Sequence, residues 1–194
     1  SYGDSRAANV YRKILPASFT TTTMVLHLPK SMCEAAHYTR SDGLHRTRWV
    51  AKDRSEMLRY FDVALHQLST KVLSGGHDAI HGYDLNIDET TPHIQIMADT
   101  FEPDSKHAGR LRVAASKMWG SHPEILNSEG RQETRFQKMR RYQKEFRERM
   151  LSEGFDVEPE AHPVHSDRKL SKTVYVELME REEAAEQKTV MADE

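Results

Sequence analysis

Residues 82–100, GYDLNIDETTPHIQIMADT, hold two runs that alternate with period two around a polar break. Tyr83, Leu85 and Ile87 alternate with Asp84, Asn86 and Asp88; Ile94, Ile96 and Ala98 alternate with His93, Gln95 and Met97. Such alternation predicts half-buried strands, and Glu89-Thr90-Thr91-Pro92 predicts a turn between them. Side chains along a strand point to alternate faces, so Asp84 and Asn86 share one face, as do His93 and Gln95. Pairing as a hairpin gathers these four polar groups on one side and the aliphatics on the other, with Glu89 at the mouth. Carboxylate, imidazole and amide oxygen are all ligand types for a divalent cation. The candidate metal ligands are therefore Asp84, Asn86, Glu89, His93 and Gln95. The same cluster reads equally as a polar hairpin that holds no metal.

Asn86-Ile87-Asp88-Glu89-Thr90-Thr91-Pro92-His93-Ile94-Gln95 resembles the His-x-Asp-Glu-x-x-Pro-His-x-His signature of the Mob/Pre plasmid mobilisation relaxases. That family belongs to the His-hydrophobe-His single-strand nucleases. Asp88, Glu89, Pro92 and His93 are kept, while Asn86 and Gln95 stand where the family has histidines that help bind its metal. Weaker likenesses run in the family's order from about residue 20 to residue 186. They are Gly109-Arg110-Leu111, Ser116-Lys117-Met118-Trp119, Glu153-Gly154-Phe155 and Ser171-Lys172-Thr173.

The resemblance implies an α+β, relaxase-like fold: a central antiparallel sheet, helices packed on one face, and a DNA groove across the other. It implies metal-assisted nicking and rejoining of single-stranded DNA at an origin, with the DNA single-stranded or folded as a hairpin. Amides in place of imidazoles bias the implied metal toward manganese or magnesium. The family's nucleophile lies near its N-terminus, and nothing around Tyr2 or Tyr11 matches it, so no nucleophile is assigned. The chain starts at Ser1 without a methionine, and the expectation is an N-terminally trimmed domain. A second reading is a catalytically inactive, relaxase-derived DNA-binding protein. A third is a basic-helix interaction module.

With 194 residues, 37% hydrophobic and 30% charged, one globular domain over 1–194 with a polar surface is expected. The net charge of −2 does not by itself announce nucleic acid. The single Cys33 excludes an internal disulfide and suits a reducing cytoplasm. No apolar run approaches the roughly 18 residues that span a membrane, and no membrane partner is expected.

Along the chain, 5–15 predicts a short helix stopped by Pro16, and 20–28 a β-branched strand ended by Pro29. His27 in that strand reads as a satisfied, partly buried histidine. A helix is expected over 31–37. Residues 38–52 form an irregular stretch, longer than the family's connection and read as an insertion. Its Arg46 and Arg48 beside Trp49 suit single-stranded nucleic acid, with arginines on phosphates and the ring on a base. The alternative is a solvated loop with Trp49 in the core.

Residues 55–72 carry an amphipathic pattern of Met57, Tyr60 or Phe61, Ala64 or Leu65, Leu68 and Val72, with Ser55 as N-cap and Gly75-Gly76 as the stop. Residues 101–104 predict a turn. Arg110, Arg112 and Lys117 make a second contact strip, and 120–130 a loop. Residues 131–152 predict a long helix with an apolar stripe of Phe136, Met139, Tyr142 or Gln143, Phe146 and Met150. Its Arg135, Lys138, Arg140, Arg141 and Lys144 form a plausible phosphate track, or else a solvated face with i,i+4 ion pairs. Residues 174–188 predict a last helix, and 177–194 an acidic exit segment.

Overall fold

The computed structural model describes residues 6–10, 18–39, 43 and 45–158, with the backbone alone at 45 and 46. The chain divides into two units, Ser1–Pro159 and Glu160–Glu194, and every described residue lies in the first. Tyr2, Tyr11, the rest of the expected first helix beyond 6–10, and the expected helix and acidic exit segment over 174–194 lie outside the described residues.

The described part is α+β, with a central antiparallel sheet. β1 (Thr21–His27), β4 (Ile80–Asn86) and β5 (His93–Asp99) form it in the order β1-β5-β4. The register is Leu26↔Ile94 and His27↔His93 on one side of β5, and Leu85↔Ile94 and Asn86↔His93 on the other. One face therefore carries Leu26, Leu85, Ile94 and Ile96. It packs on Met57, Tyr60, Phe61, Ala64 and Leu68 of α1 (Arg54–Lys71). The expected apolar stripe of this helix is the observed one. Its cap differs: Asp53, not Ser55, is the N-cap, and its carboxylate accepts from the amides of Ser55 at 2.7 Å and Glu56 at 3.1 Å. Past the helix, Gly75 abuts the backbone at Phe101 so closely that a Cβ there would lie 2.3 Å from the Phe101 carbonyl oxygen. Only glycine fits.

The expected helix over 31–37 is not formed. A single 3₁₀ turn, Lys30–Met32, leads into β2 (Cys33–Thr39), which pairs along its whole length with β3 (His45–Ala51). The alanines favoured a helix locally, but pairing with Thr47, Trp49 and Val50 overrides that preference. The stretch expected to be irregular, 38–52, thus holds the end of β2 and the whole of β3. Likewise the expected turn at 101–104 is mostly β6 (Phe101–Pro103), paired with β7 (Leu111–Val113) ahead of the short α2 (Ala115–Trp119).

α3 (Arg135–Ser152) starts four residues later than expected, at a capping box in which Thr134 and Gln137 satisfy each other's backbone amides. It packs beside α1 through Tyr142, Phe146 and Met150. Phe136 is not part of that stripe: it is 80% exposed, and Lys138 is the residue turned inward, at 0%. Gly154, with φ 84°, closes the helix, and buried Phe155 returns its amide to the Met150 carbonyl. Among the described residues no helix is long and apolar enough to cross a membrane.

Candidate site on the open sheet face

Residues directly opposite in an antiparallel pair project to the same side. The register therefore sets two rows on the face away from the helices. His27, His93 and Asn86 form one; Val25, Gln95 and Asp84 form the next. Asp84, Asn86, His93 and Gln95 converge as the alternation predicts.

The loop joining β4 to β5 is pinned from two directions. Its Pro92 carbonyl accepts from the Leu28 amide at 2.8 Å, and its Thr90 carbonyl accepts from the Trp49 amide of β3 at 2.7 Å. This holds His93 in place. His93 is 5% exposed, and its Nδ1–H donates to the Thr91 carbonyl oxygen at 2.9 Å. A carbonyl can only accept, so the neutral ring presents a bare Nε2. That nitrogen lies 3.4 Å from Gln95 Nε2 and 3.7 Å from Glu89 Oε2. Glu89 itself is well exposed at the mouth of the loop.

His27 is the residue that sequence reasoning passed over. It stands across β5 from Asn86, with its ring centroid 5.1 Å from that of His93. Desolvation, and secondly the charge of His93, hold its pKa below the ordinary 6.5. The signal was available: once β1 is paired with β5, an odd-numbered histidine at the strand's end falls on the face of His93.

The site offers one aligned imidazole, a second beside it, the exposed carboxylates of Glu89 and Asp84, and two amides. Among the described residues no group of three or more His, Cys, Asp or Glu is placed to hold a metal ion. The amide oxygens of Asn86 and Gln95 are neutral donors and bring no charge to a cation. The donor set therefore falls short of a divalent-metal site made by the protein alone.

The expected DNA contacts separate into two groups. Arg112, Lys117, Lys138 and Arg141 are engaged within the protein. Arg112 and Lys117 both meet the buried Glu102, Arg112 Nε at 2.7 Å and Lys117 Nζ at 3.1 Å, and Glu102 holds the Arg112 pKa up. Arg141 forks onto buried Glu133 at 2.9 and 3.0 Å, which drives its pKa further up. The Lys138 ammonium donates to the Lys117 and Gly120 carbonyls, both at 2.7 Å, and closes the C-terminal end of α2. Its phosphate role is corrected on that ground: a buried ammonium with two carbonyl acceptors does not reach a DNA strand. Arg110 is half-buried, with a guanidinium nitrogen 3.4 Å from the Val10 carbonyl oxygen.

Arg48, Arg135, Arg140 and Lys144 do face solvent. Among the described residues, Lys144 alone of these is in an ion pair, 3.7 Å from Glu148. Trp49 is not their neighbour on a common surface. Strand alternation turns it to the opposite face from Arg48, half-buried against the core with the Lys30 ammonium 4.9 Å above its ring. Arg46 lies opposite Tyr38 in the backbone register; its side chain is outside the described residues.

Comparison with protein-family models, with curated proteins and with solved structures finds no match.

Proposed function

We propose that this chain is a relaxase-like DNA-binding protein of a mobile element, holding a single DNA strand across the open face of its central sheet. The observation that supports this reading best is the convergence of Asn86, His93, Gln95 and Asp84 in front of a loop that carries the signature residues Asp88, Glu89 and Pro92. Two amides and an imidazole supply hydrogen bonds to phosphate and base oxygens without formal charge. The exposed Arg48, Arg135, Arg140 and Lys144 supply the sequence-independent attraction.

A second reading, nicking and rejoining by metal-assisted transesterification, has its own support. Glu89 and Asp84 put negative charge beside the strand's path, and a manganese or magnesium ion there would offset it. His93 already turns a bare nitrogen toward Glu89.

Anisotropy of a labelled single-stranded oligonucleotide pool in the presence of a chelator separates these readings. The DNA-holding reading expects binding that survives chelation and weakens roughly tenfold when Asn86 and Gln95 are both changed to leucine. Binding that ignores the double change would remove the sheet face as the site. A covalent protein–DNA adduct formed in manganese, and lost in His93→Ala, would decide for the nicking reading.

A further inference from the structure

β1 is an edge of the central sheet, and its outer side has no partner among the described residues. The Leu28 amide donates to the Pro92 carbonyl at 2.8 Å, and the Thr100 amide to the Thr20 carbonyl at 3.0 Å. In an antiparallel ladder such bonded pairs recur at every second residue, so Thr22, Met24 and Leu26 also turn their backbone groups to β5. The N–H and C=O groups of Thr21, Thr23, Val25 and His27 therefore point outward. Natural edges are commonly blunted by lysine, proline or a bulge. β1 has none of these: TTTMVLH keeps one register along its whole length. That length is about 23 Å at about 3.3 Å per residue.

A groove follows this edge on the helix side of the sheet. Its cavity of about 890 Å³ runs between β1 and α3 over α1, with Met24, Leu26, Leu68, Tyr142 and Phe146 among its walls. A second cavity of about 620 Å³ adjoins it, sharing Met24, Trp119 and Met139, and carries the groove on to Phe19. Two polar side chains in it lack partners among the described residues. Gln67 is 7% exposed, and its carboxamide makes no hydrogen bond. Arg147 is half-buried and in no ion pair. The carboxylates of the groove do not answer it. Glu145 is taken by Arg141 at 3.2 Å, and Asp156 and Glu158 lie at the end where the Ser31 hydroxyl donates to the Asp156 carbonyl. Lys71 and Arg135 add exposed positive charge along the rim.

We propose that β1 accepts an extended peptide of a partner protein as a further strand of the sheet, with apolar side chains and one carboxylate turned into the groove. The outward groups of Thr21, Thr23, Val25 and His27 supply main-chain hydrogen bonds at a spacing that an extended backbone matches. Alternate side chains of that peptide fall on the helix side, where the groove is apolar. An acidic side chain among them meets Arg147, and Gln67 supplies a donor and an acceptor in the same cavity. A second copy of this chain fits less well, because Thr21–His27 brings no carboxylate to Arg147. The proposal does not depend on how the open face binds DNA.

The probe is a fluorescently labelled peptide of the length of β1, with threonine at odd positions, leucine at the second and sixth, and glutamate at the fourth. Anisotropy is expected to show saturable binding, with the Thr23 and Val25 amides protected from hydrogen exchange in the complex. Methylating the backbone nitrogens of alternate probe residues tests the strand geometry on the unaltered chain. One alternate set is expected to abolish binding, and the other to leave it within about twofold. Arg147→Gln is expected to weaken the glutamate probe roughly tenfold and a glutamine counterpart by less than about twofold, with circular dichroism matching the parent. Equal effects of the two methylated sets would make the groove a site for a small apolar molecule and overturn the proposal. Equal loss of the glutamate and glutamine probes would overturn the acidic preference. A dimer of the chain joined through β1 would give the edge to a second copy and overturn the proposal, as would failure of the probe to bind.

Discussion

His27 and His93 face one another across neighbouring strands, with ring centroids 5.1 Å apart and planes tilted by 43°. Only His93 is anchored by Thr91, so the pair is asymmetric. His27 loses hydration at the strand end and feels the charge of His93, and both effects oppose its protonation. In an NMR titration its ring should take up a proton below pH 6.5. His93→Gln should move that midpoint part of the way back up, because desolvation is the larger cause and remains. The sign for stability follows. Below 6.5 the unfolded chain binds this proton first, so the His27 contribution is complete above 6.5 and falls as the pH drops below it. A midpoint at or above 6.5 would show that neither effect acts on the ring, and one unmoved by His93→Gln would show that the two rings do not sense each other.

The alternation around residues 82–100 was enough to place the hairpin and the shared face of its polar residues, since period two leaves one choice once the aliphatics are buried. The stripe of α1 was equally legible. What escaped were pairings at long range. Nothing local in Cys33–Thr39 announces a strand until β3 lies beside it, and His27 gains its neighbour only from β5, far along the chain. Positive charge misled for the same reason: Arg112, Lys117, Lys138 and Arg141 look like a DNA strip until Glu102, Glu133 and two carbonyls are found against them.

Arg140 and Arg141 are neighbours in sequence with opposite duties. Arg141 is bound bidentately to Glu133, which is 3% exposed, while Arg140 faces solvent with no ion pair among the described residues. Arg141→Ala leaves a buried carboxylate without its partner and is expected to cost about 3 kcal/mol in urea unfolding. Arg140→Ala should leave the midpoint unchanged within about 0.5 kcal/mol. It should lower the salt-dependence slope of single-strand binding by about one. The reverse pattern would mean that α3 is turned the other way.

Lys138 is fully buried, and its ammonium is held by carbonyls alone. Desolvation depresses its pKa, yet removing it leaves the Lys117 and Gly120 oxygens without a donor. Lys138→Met keeps the length of the side chain and discards the two hydrogen bonds. Stability is expected to drop by about 2 kcal/mol, with DNA affinity intact when measured well below the melting temperature. A variant as stable as the parent would show that water or backbone adjustment satisfies α2 without the lysine.

Restoring imidazoles tests the donor set directly. Asn86 is opposite His93, and Gln95 shares its face one step further along β5. An Asn86→His, Gln95→His double variant therefore gathers three imidazoles beside that of His27, with Glu89 at the mouth, a donor set that suits borderline divalent ions. Zinc or manganese at about 100 times the dissociation constant would stabilise the folded variant by about 2.7 kcal/mol, read as a rise in Tm. The parent chain is expected to show a much smaller rise under the same conditions, since an amide oxygen is a weaker donor to these ions than an imidazole nitrogen. Equal rises in parent and double variant would show that Glu89, His93 and the amides already suffice for a metal. The nicking reading would then take precedence over simple strand holding.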